Sequence, residues 1–171
     1  LDFLIVDAPG ALSGEHAELL VSESHAIVTP LQPSVFDIDS TKRFLKHLQD
    51  IKRIRKGKVK ILLLANRLKP NTTSVESIKA FFQQIEQNPA AAILERSCYD
   101  QLAQEGLSVF DKTQKQYTQV QDQWRPLLAK LLTDWYEIQY STEKSEPLAL
   151  TFLMTFLSWS QFKVPHDKQI L

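Results

Sequence analysis

Three short apolar runs constrain the fold of this 171-residue chain more than any other feature of its sequence. They cover residues 3–6, 26–28 and, apart from Lys60, 59–65, and each is followed by polar or helix-breaking residues. Apolar runs without alternation are typical of strands that are buried on both faces of a parallel sheet. Because helix-like stretches separate the runs, the sequence predicts an α/β fold in which helices flank a parallel sheet.

The remaining elements are predicted from apolar spacing and from helix-end signals. Apolar side chains recur at helical spacing over residues 37–55, and residues 73–76 have the Thr-x-x-Glu pattern of a capping box in front of a second amphipathic helix. The further elements, in chain order, are a fourth strand at 91–94, a short helix at 97–105 closed by Gly106, and a long helix at 113–132 that Pro126 kinks.

The C-terminal residues differ in character, and we divide the chain into a domain over 1–132 and an extension of unknown role over 133–171. Seven of the 16 aromatic residues lie in this extension: Trp135, Tyr136, Tyr140, Phe152, Phe156, Trp159 and Phe162. Residues 147–162 carry no charge, but they are fewer than the roughly 20 apolar residues of a membrane span. A packed helix is expected there, with a membrane-surface or partner-binding helix as the alternative.

Overall composition excludes several classes of protein. Lys plus Arg is 20 and Asp plus Glu is 20, so the zero net charge excludes a uniformly basic nucleic-acid binder. A single cysteine, Cys98, excludes an intrachain disulfide framework and a Cys-rich zinc site, and it indicates a reducing compartment. Only 4 glycines leave little material for a phosphate-binding glycine loop.

Polar residues follow the three predicted strands, namely Asp7, Gln32 and Asn66. Because ligands bind beyond the carboxyl ends of parallel strands, the three residues predict a ligand site at one edge of the sheet. Asp7 suits a water-mediated magnesium contact in a nucleotide site, although an Asp at such a position also caps turns and helices. Asn66 offers a donor and an acceptor to a base edge, or else it bonds its own backbone.

Four segments that include these residues resemble, in the correct order, the ParA/MinD family of deviant P-loop ATPases, which partition plasmids and chromosomes. Residues 2–10 (DFLIVDAPG) are similar to the family's second Walker-type segment, and residues 27–34 (IVTPLQPS) to its strand ending in Pro-x-Gln-Pro. Residues 63–67 (LLANR) resemble the strand whose Asn-Arg end contacts adenine. Arg96, Tyr99, Ala103 and residues 105–111 resemble the late segment of plasmid-type members, so the resemblance covers about residues 1–132.

The resemblance implies a P-loop NTPase-like sheet and an ATPase that, in complete form, binds ATP with Mg²⁺ and non-specific DNA. It also implies a homodimer that works with a centromere-binding adaptor protein. On this resemblance Asp7 would hold Mg²⁺ through water, Asn66 and Arg67 would contact the nucleotide, and Arg96 would lie near the DNA-facing or dimer surface. The implied location is the cytoplasm, at the nucleoid, and membrane association is not expected.

The chain departs from the family because it lacks the Lys- and Gly-rich phosphate loop: Gly10 and Gly14 are too close together, and neither leads into Lys-Ser or Lys-Thr. With Leu1 first and Met154 as the only methionine, we expect a fragment or processed piece, and the resemblance implies the C-terminal portion of a longer protein. Because the phosphate loop is missing, we expect this chain to be inactive alone and to bind no cofactor tightly. The family's first strand is expected beside residues 3–6, so its loss predicts an aggregation-prone chain. The alternatives are a non-catalytic interaction module and a metabolic relative, such as a ligase or amide synthase, on the same scaffold.

A basic segment is the other notable feature, with nine cationic residues against the single carboxylate of Asp50. They are Lys42, Arg43, Lys46, Lys52, Arg53, Arg55, Lys56, Lys58 and Lys60. Lys42, Lys46 and Arg53 fall on one face of the helix predicted over residues 37–55. Together with Arg43 and Arg96 they form the DNA-binding set that the family resemblance supports, and the alternative is a solvated helix face.

Overall fold

The computed structural model describes residues 3–8, 14–141 and 150–155. The elements, in chain order, are β1 (Phe3–Ala8), α1 (Gly14–Glu23), β2 (Ala26–Leu31), α2 (Val35–Leu48), α3 (Lys52–Arg55), β3 (Lys60–Leu68), α4 (Thr73–Gln84), β4 (Ala91–Leu94), α5 (Ser97–Gln104), a 3₁₀ turn (Val109–Asp111), α6 (Lys115–Ser141) and β5 (Leu150–Thr155). The strands form one five-stranded sheet in the order β1-β5-β2-β3-β4, and every neighbouring pair is parallel. The prediction of an α/β fold with a parallel sheet flanked by helices is therefore confirmed.

The last strand of the chain, β5, lies between the first two. Its register pairs Phe152 with Ile5 of β1 on one side and with Ala26 of β2 on the other. Within the described residues, β5 is the one strand that pairs with β1. The expectation that residues 3–6 lack a neighbouring strand is thus wrong, because residues 150–155 fill that position.

The strand at β5 also corrects the prediction of a packed helix over residues 147–162, at least for residues 150–155; the rest of that stretch lies outside the described residues. Short apolar runs do not distinguish a buried helix from a buried strand by periodicity, and a central strand of a parallel sheet accepts an unbroken apolar run. The proposed boundary at residue 132 falls inside α6, which continues to Ser141.

Helices cover both faces of the sheet, and the alternation of strand residues assigns each helix to a face. On the first face, α1 to α4 pack on Ile27, Leu31 and Leu63 through Val21, Phe44, Leu48, Phe81 and Phe82. On the second face, α5 and α6 pack on Val28, Leu64 and Ile93 through Tyr99, Trp124 and Leu127. The indole nitrogen of Trp124 donates a 2.9 Å hydrogen bond to the Tyr99 hydroxyl, which joins the two helices of this second face.

Two predicted helix features differ in the structure. The single helix expected over residues 37–55 is two helices, because Ile51 adopts an extended backbone (φ −77°, ψ 121°) while its side chain stays buried in the core. The capping box expected over residues 73–76 is not formed: Thr72 occupies the N-cap position of α4, and its hydroxyl makes no capping hydrogen bond but bonds the carbonyl of Lys69 and the Ser74 hydroxyl. The stop expected at Gly106 is confirmed by its left-handed backbone (φ +70°).

Candidate functional site

The carboxyl ends of β1, β2 and β3 lie at one edge of the sheet because all its strands are parallel. Asp7 pairs in register with Met154, which also pairs with Val28, whereas Asn66 follows Ala65, which pairs with Leu31. Asp7 and Asn66 are therefore offset by about four residues along the strands and three strand spacings across them, or roughly 20 Å in all. The structure brings Gln32 and Asn66 to the same level of the edge but leaves Asp7 at a distance from both.

Strand β3 extends further than expected, through Asn66 and Arg67 to Leu68. Its pairing with β4 shifts register between Ala65 and Leu68, and Arg67 has a left-handed backbone (φ +53°). The Asn66 Oδ1 atom accepts a 3.0 Å hydrogen bond from the backbone N–H of Arg67 and thus supports this bulge. The alternative use of Asn66, as an Asn that bonds its own backbone, is therefore the one its carbonyl oxygen adopts.

The guanidinium of Arg67 belongs to a network with Glu95, a residue that the sequence did not single out. One Glu95 oxygen lies 2.7 Å from Arg67 Nη2 and the other lies 3.0 Å from Lys69 Nζ. Hydrogen bonds from Arg67 and Lys69 lower the pKa of the Glu95 carboxyl, despite its partial desolvation. Because the backbone N–H of Glu95 also donates to the carbonyl of Leu68, the ends of β3 and β4 are held together at this edge.

Two buried polar residues in the first turns of α2 were also not singled out from the sequence. Asp37 is only 8% exposed, and burial raises the pKa of its carboxyl. One turn later, the hydroxyl of Thr41 is fully buried and has no hydrogen-bond partner among the described residues. Their i, i+4 spacing on an otherwise apolar helix face is the sequence signal that identifies them.

An exposed apolar pair begins the same helix. Val35 is 73% exposed and Phe36 is 85% exposed, directly after Ser34, whose hydroxyl caps α2 by accepting from the Phe36 backbone N–H. Large exposed apolar side chains are ordinary singly, and here two adjacent ones form a small exposed apolar patch after the carboxyl end of β2.

The predicted DNA-binding residues lie on three elements: Lys42, Arg43 and Lys46 on α2, Arg53 on α3, and Arg96 at the start of α5. Lys42 donates a 2.9 Å hydrogen bond to Gln84 of α4, and Arg43 forms a 2.6 Å ion pair with Asp39, while Lys46 is exposed. Arg53 belongs to α3 rather than to the helix of Lys42. The prediction that Lys42, Lys46 and Arg53 share one helix face is therefore wrong, because α2 and α3 are separate helices.

Arg53 and Arg96 occupy different surroundings from the α2 cations. The Arg53 guanidinium is half-buried and donates to the carbonyl of Ser22 at the end of α1, while its Nε is buried without a partner among the described residues. Arg96 is exposed at the start of α5, after the carboxyl end of β4 and thus at the opposite edge of the sheet from α3.

The described part of the chain holds no group of three or more His, Cys, Asp or Glu side chains placed to bind a metal ion. Among its helices, none has both the length and the apolar character needed to cross a membrane. Comparison of the chain with protein-family models, with curated proteins and with solved structures gives no significant match.

Proposed function

We propose that this chain is a portion of a ParA-like partition ATPase with a P-loop NTPase-like sheet, which in complete form binds ATP with Mg²⁺ and non-specific DNA. The observation that carries the proposal is the parallel sheet in which β1 and β2 flank one central strand and end, with β3, at the same edge. Three of the sequence segments that resemble the family include residues of these three strands, and the fourth runs from the start of α5 to the 3₁₀ turn.

The side chains at this edge fit the two ends of a nucleotide. Asp7 is exposed and supplies one carboxylate, and Mg²⁺ in nucleotide sites commonly uses one or two carboxylates with phosphate and water. The Asn66 amide nitrogen is a donor for a base edge, held in place because Asn66 Oδ1 is bonded to the backbone of Arg67. The offset of roughly 20 Å between these residues suits contacts with opposite ends of one extended ligand rather than with a single atom.

The residues do not fit the phosphates between those ends, since no phosphate loop occurs in the sequence. Such a loop supplies most of the electrostatic stabilisation in phosphoryl transfer. We therefore expect the chain alone to bind ATP no better than about 1 mM, or roughly 4 kcal/mol, and not to hydrolyse it.

Amide NMR of the whole chain tests this proposal at the affinity expected. Titration with Mg-ATP to several times about 1 mM should shift the amides of residues 65–69. Adenosine should cause the same shifts, and pyrophosphate should leave them unchanged, because the base alone contacts this bulge. Magnesium added with ATP should in addition shift the amides around Asp7, and the Asp7→Asn variant should lose that second effect. The absence of shifts at both places, or equal shifts with pyrophosphate, would contradict the proposal that a nucleotide binds at the carboxyl edge of the sheet.

A non-catalytic interaction module is the second candidate, and two observations favour it. Strand β5 lies inside the sheet between β1 and β2, so the described residues form a continuous sheet without a further strand. The exposed pair Val35 and Phe36 offers a contact surface at its edge. A monodisperse chain that melts cooperatively and shows no amide shifts on ATP addition would favour the interaction module over the partition ATPase.

A further inference from the structure

We propose that the phosphate backbone of duplex DNA docks on the turn from α3 into β3, at the amino edge of the sheet, rather than on α2 or at Arg96. We name residues 51–60 the amino-edge turn. This inference rests on the DNA-binding part of the proposed function and assigns it to a different set of residues.

The amino-edge turn separates its charges from its apolar residues. Ile51 and Val59 are buried at 6% and 4% exposure, and Ile54 packs against the same core cluster. The outward side carries five exposed cationic side chains: Lys52, Arg55, Lys56, Lys58 and Lys60. The result is a dense cationic surface on a core-anchored support.

Backbone and side-chain hydrogen bonds hold the turn in one conformation. Gly57 is left-handed (φ +65°), and the N–H groups of Gly57 and Lys58 donate to the carbonyls of Ile54 and Arg53, each at 2.9 Å. The Arg53 guanidinium ties the turn to the end of α1 through Ser22. A charged surface that is already ordered loses little conformational entropy when it binds a polyanion, which favours this turn over a flexible tail.

Two of the three cations of α2 are less suited to the same task. Lys42 is bonded to Gln84 and Arg43 to Asp39, so a phosphate must compete with groups already in place. In the amino-edge turn, by contrast, the described residues form no ion pair with Lys52, Arg55, Lys56 or Lys58. The exposed carboxylate of Asp50 directly precedes the turn, so positive charge remains in excess over residues 50–60.

The chemistry of the turn favours duplex DNA over an anionic membrane or a single strand. A membrane-surface segment buries apolar side chains in the lipid boundary, but here Ile51, Ile54 and Val59 face the protein core. Base stacking on a single strand needs aromatic side chains, and residues 51–60 contain none. Lysine and arginine contacts to phosphates are sufficient for duplex binding without sequence preference.

The amino-edge turn lies far from the proposed nucleotide site at the carboxyl edge of the sheet. Strand β3 begins at Lys60 in the turn and carries Asn66 and Arg67 near its other end, about 20 Å away at 3.3 Å per residue. DNA and nucleotide would therefore occupy opposite edges of the same sheet and would not exclude one another.

The test measures salt-dependent binding of the whole chain to a fluorescent duplex of arbitrary sequence by anisotropy. Three double variants, each removing two positive charges, are compared: K56Q/K58Q in the turn, K42Q/K46Q on α2, and K115Q/K130Q on α6 as the matched control. If both turn lysines contact phosphates, K56Q/K58Q lowers the salt slope by about 1.8 and weakens binding about 60-fold at 0.1 M salt. The α6 control should leave both quantities unchanged, and K42Q/K46Q should cause a smaller loss than K56Q/K58Q.

The possible failures are distinguishable. If K42Q/K46Q lowers the salt slope of DNA binding and K56Q/K58Q does not, the chain binds DNA but the amino-edge turn is not the contact surface. If the unmodified chain does not bind the duplex at all, the DNA-binding part of the proposed function fails. If the turn lysines instead support binding to phosphatidylserine-containing vesicles and not to DNA, the partner is a membrane and the inference is wrong. Melting curves by circular dichroism verify that every variant is folded.

Discussion

The buried hydroxyl of Thr41 offers a direct test of the packing between α2 and the sheet. Thr41 is fully buried, and its Oγ1 has no hydrogen-bond partner among the described residues. A buried hydroxyl without a partner costs about 1–3 kcal/mol of the free energy of unfolding. The Thr41→Val variant has nearly the same shape and removes the hydroxyl, so it should stabilise the protein by about this amount.

Urea denaturation followed by circular dichroism measures the effect. The midpoint should rise without a change in the slope m, and the melting temperature should rise by about 2–4 °C per kcal/mol for a chain of this size. Ser24→Ala is the matched control, since Ser24 is equally buried but its hydroxyl donates a 2.6 Å hydrogen bond to the Leu20 carbonyl. That variant should lose about 1 kcal/mol. A Thr41→Val variant that is destabilised, as Ser24→Ala is, would refute the reasoning and show that the Thr41 hydroxyl is hydrogen-bonded.

Three further predictions concern the sheet, a histidine and an ion pair. Leu153→Pro should abolish cooperative unfolding, because proline removes a ladder hydrogen bond from a central strand; an unchanged melting curve would mean that β5 is dispensable. Burial and then the charge of Arg53 lower the pKa of His25, so the unfolded chain binds more protons than the folded one. Stability should therefore be fully present above about pH 6.5 and should fall as the pH drops through the lowered pKa, and His25→Gln should flatten this dependence between pH 5 and 7 in urea melts. Glu95→Gln should cost no more than about 1 kcal/mol at pH 7, since its ion pairs are partly exposed, and the difference from the unmodified chain should vanish as acid protonates the carboxyl; a larger loss, or one that persists in acid, would contradict this account.

The sequence by itself determined the fold class and identified polar residues near the carboxyl ends of the predicted strands. Unbroken apolar runs indicated parallel strands at β1, β2 and β3, and helix-ending glycines such as Gly106 indicated where helices stop. Burial on both faces holds for β2 but not for the edge strand β1, in which Leu4 and Ile5 are 46% and 65% exposed. These signals are local, since burial on two faces and a left-handed backbone each constrain the residue types at one position. The prediction that Gln32 and Asn66 meet at the carboxyl edge followed from the same pattern, whereas Asp7 lies inside β1, away from both.

Tertiary structure alone decided how distant residues meet. Strand β5 lies between β1 and β2 although about 120 residues separate β2 from it along the chain, and no local pattern specifies such a pairing. The same holds for Glu95, whose role arises because β4 lies beside β3 and brings its carboxylate to Arg67 and Lys69. The break between α2 and α3 has a related cause: burying Ile51 in the core outweighs the continuation of a helix, and this turns Arg53 inward while leaving Lys56 and Lys58 exposed. Side-chain spacing reports one element at a time, whereas the partner of a charge or of a strand edge is set by packing between elements.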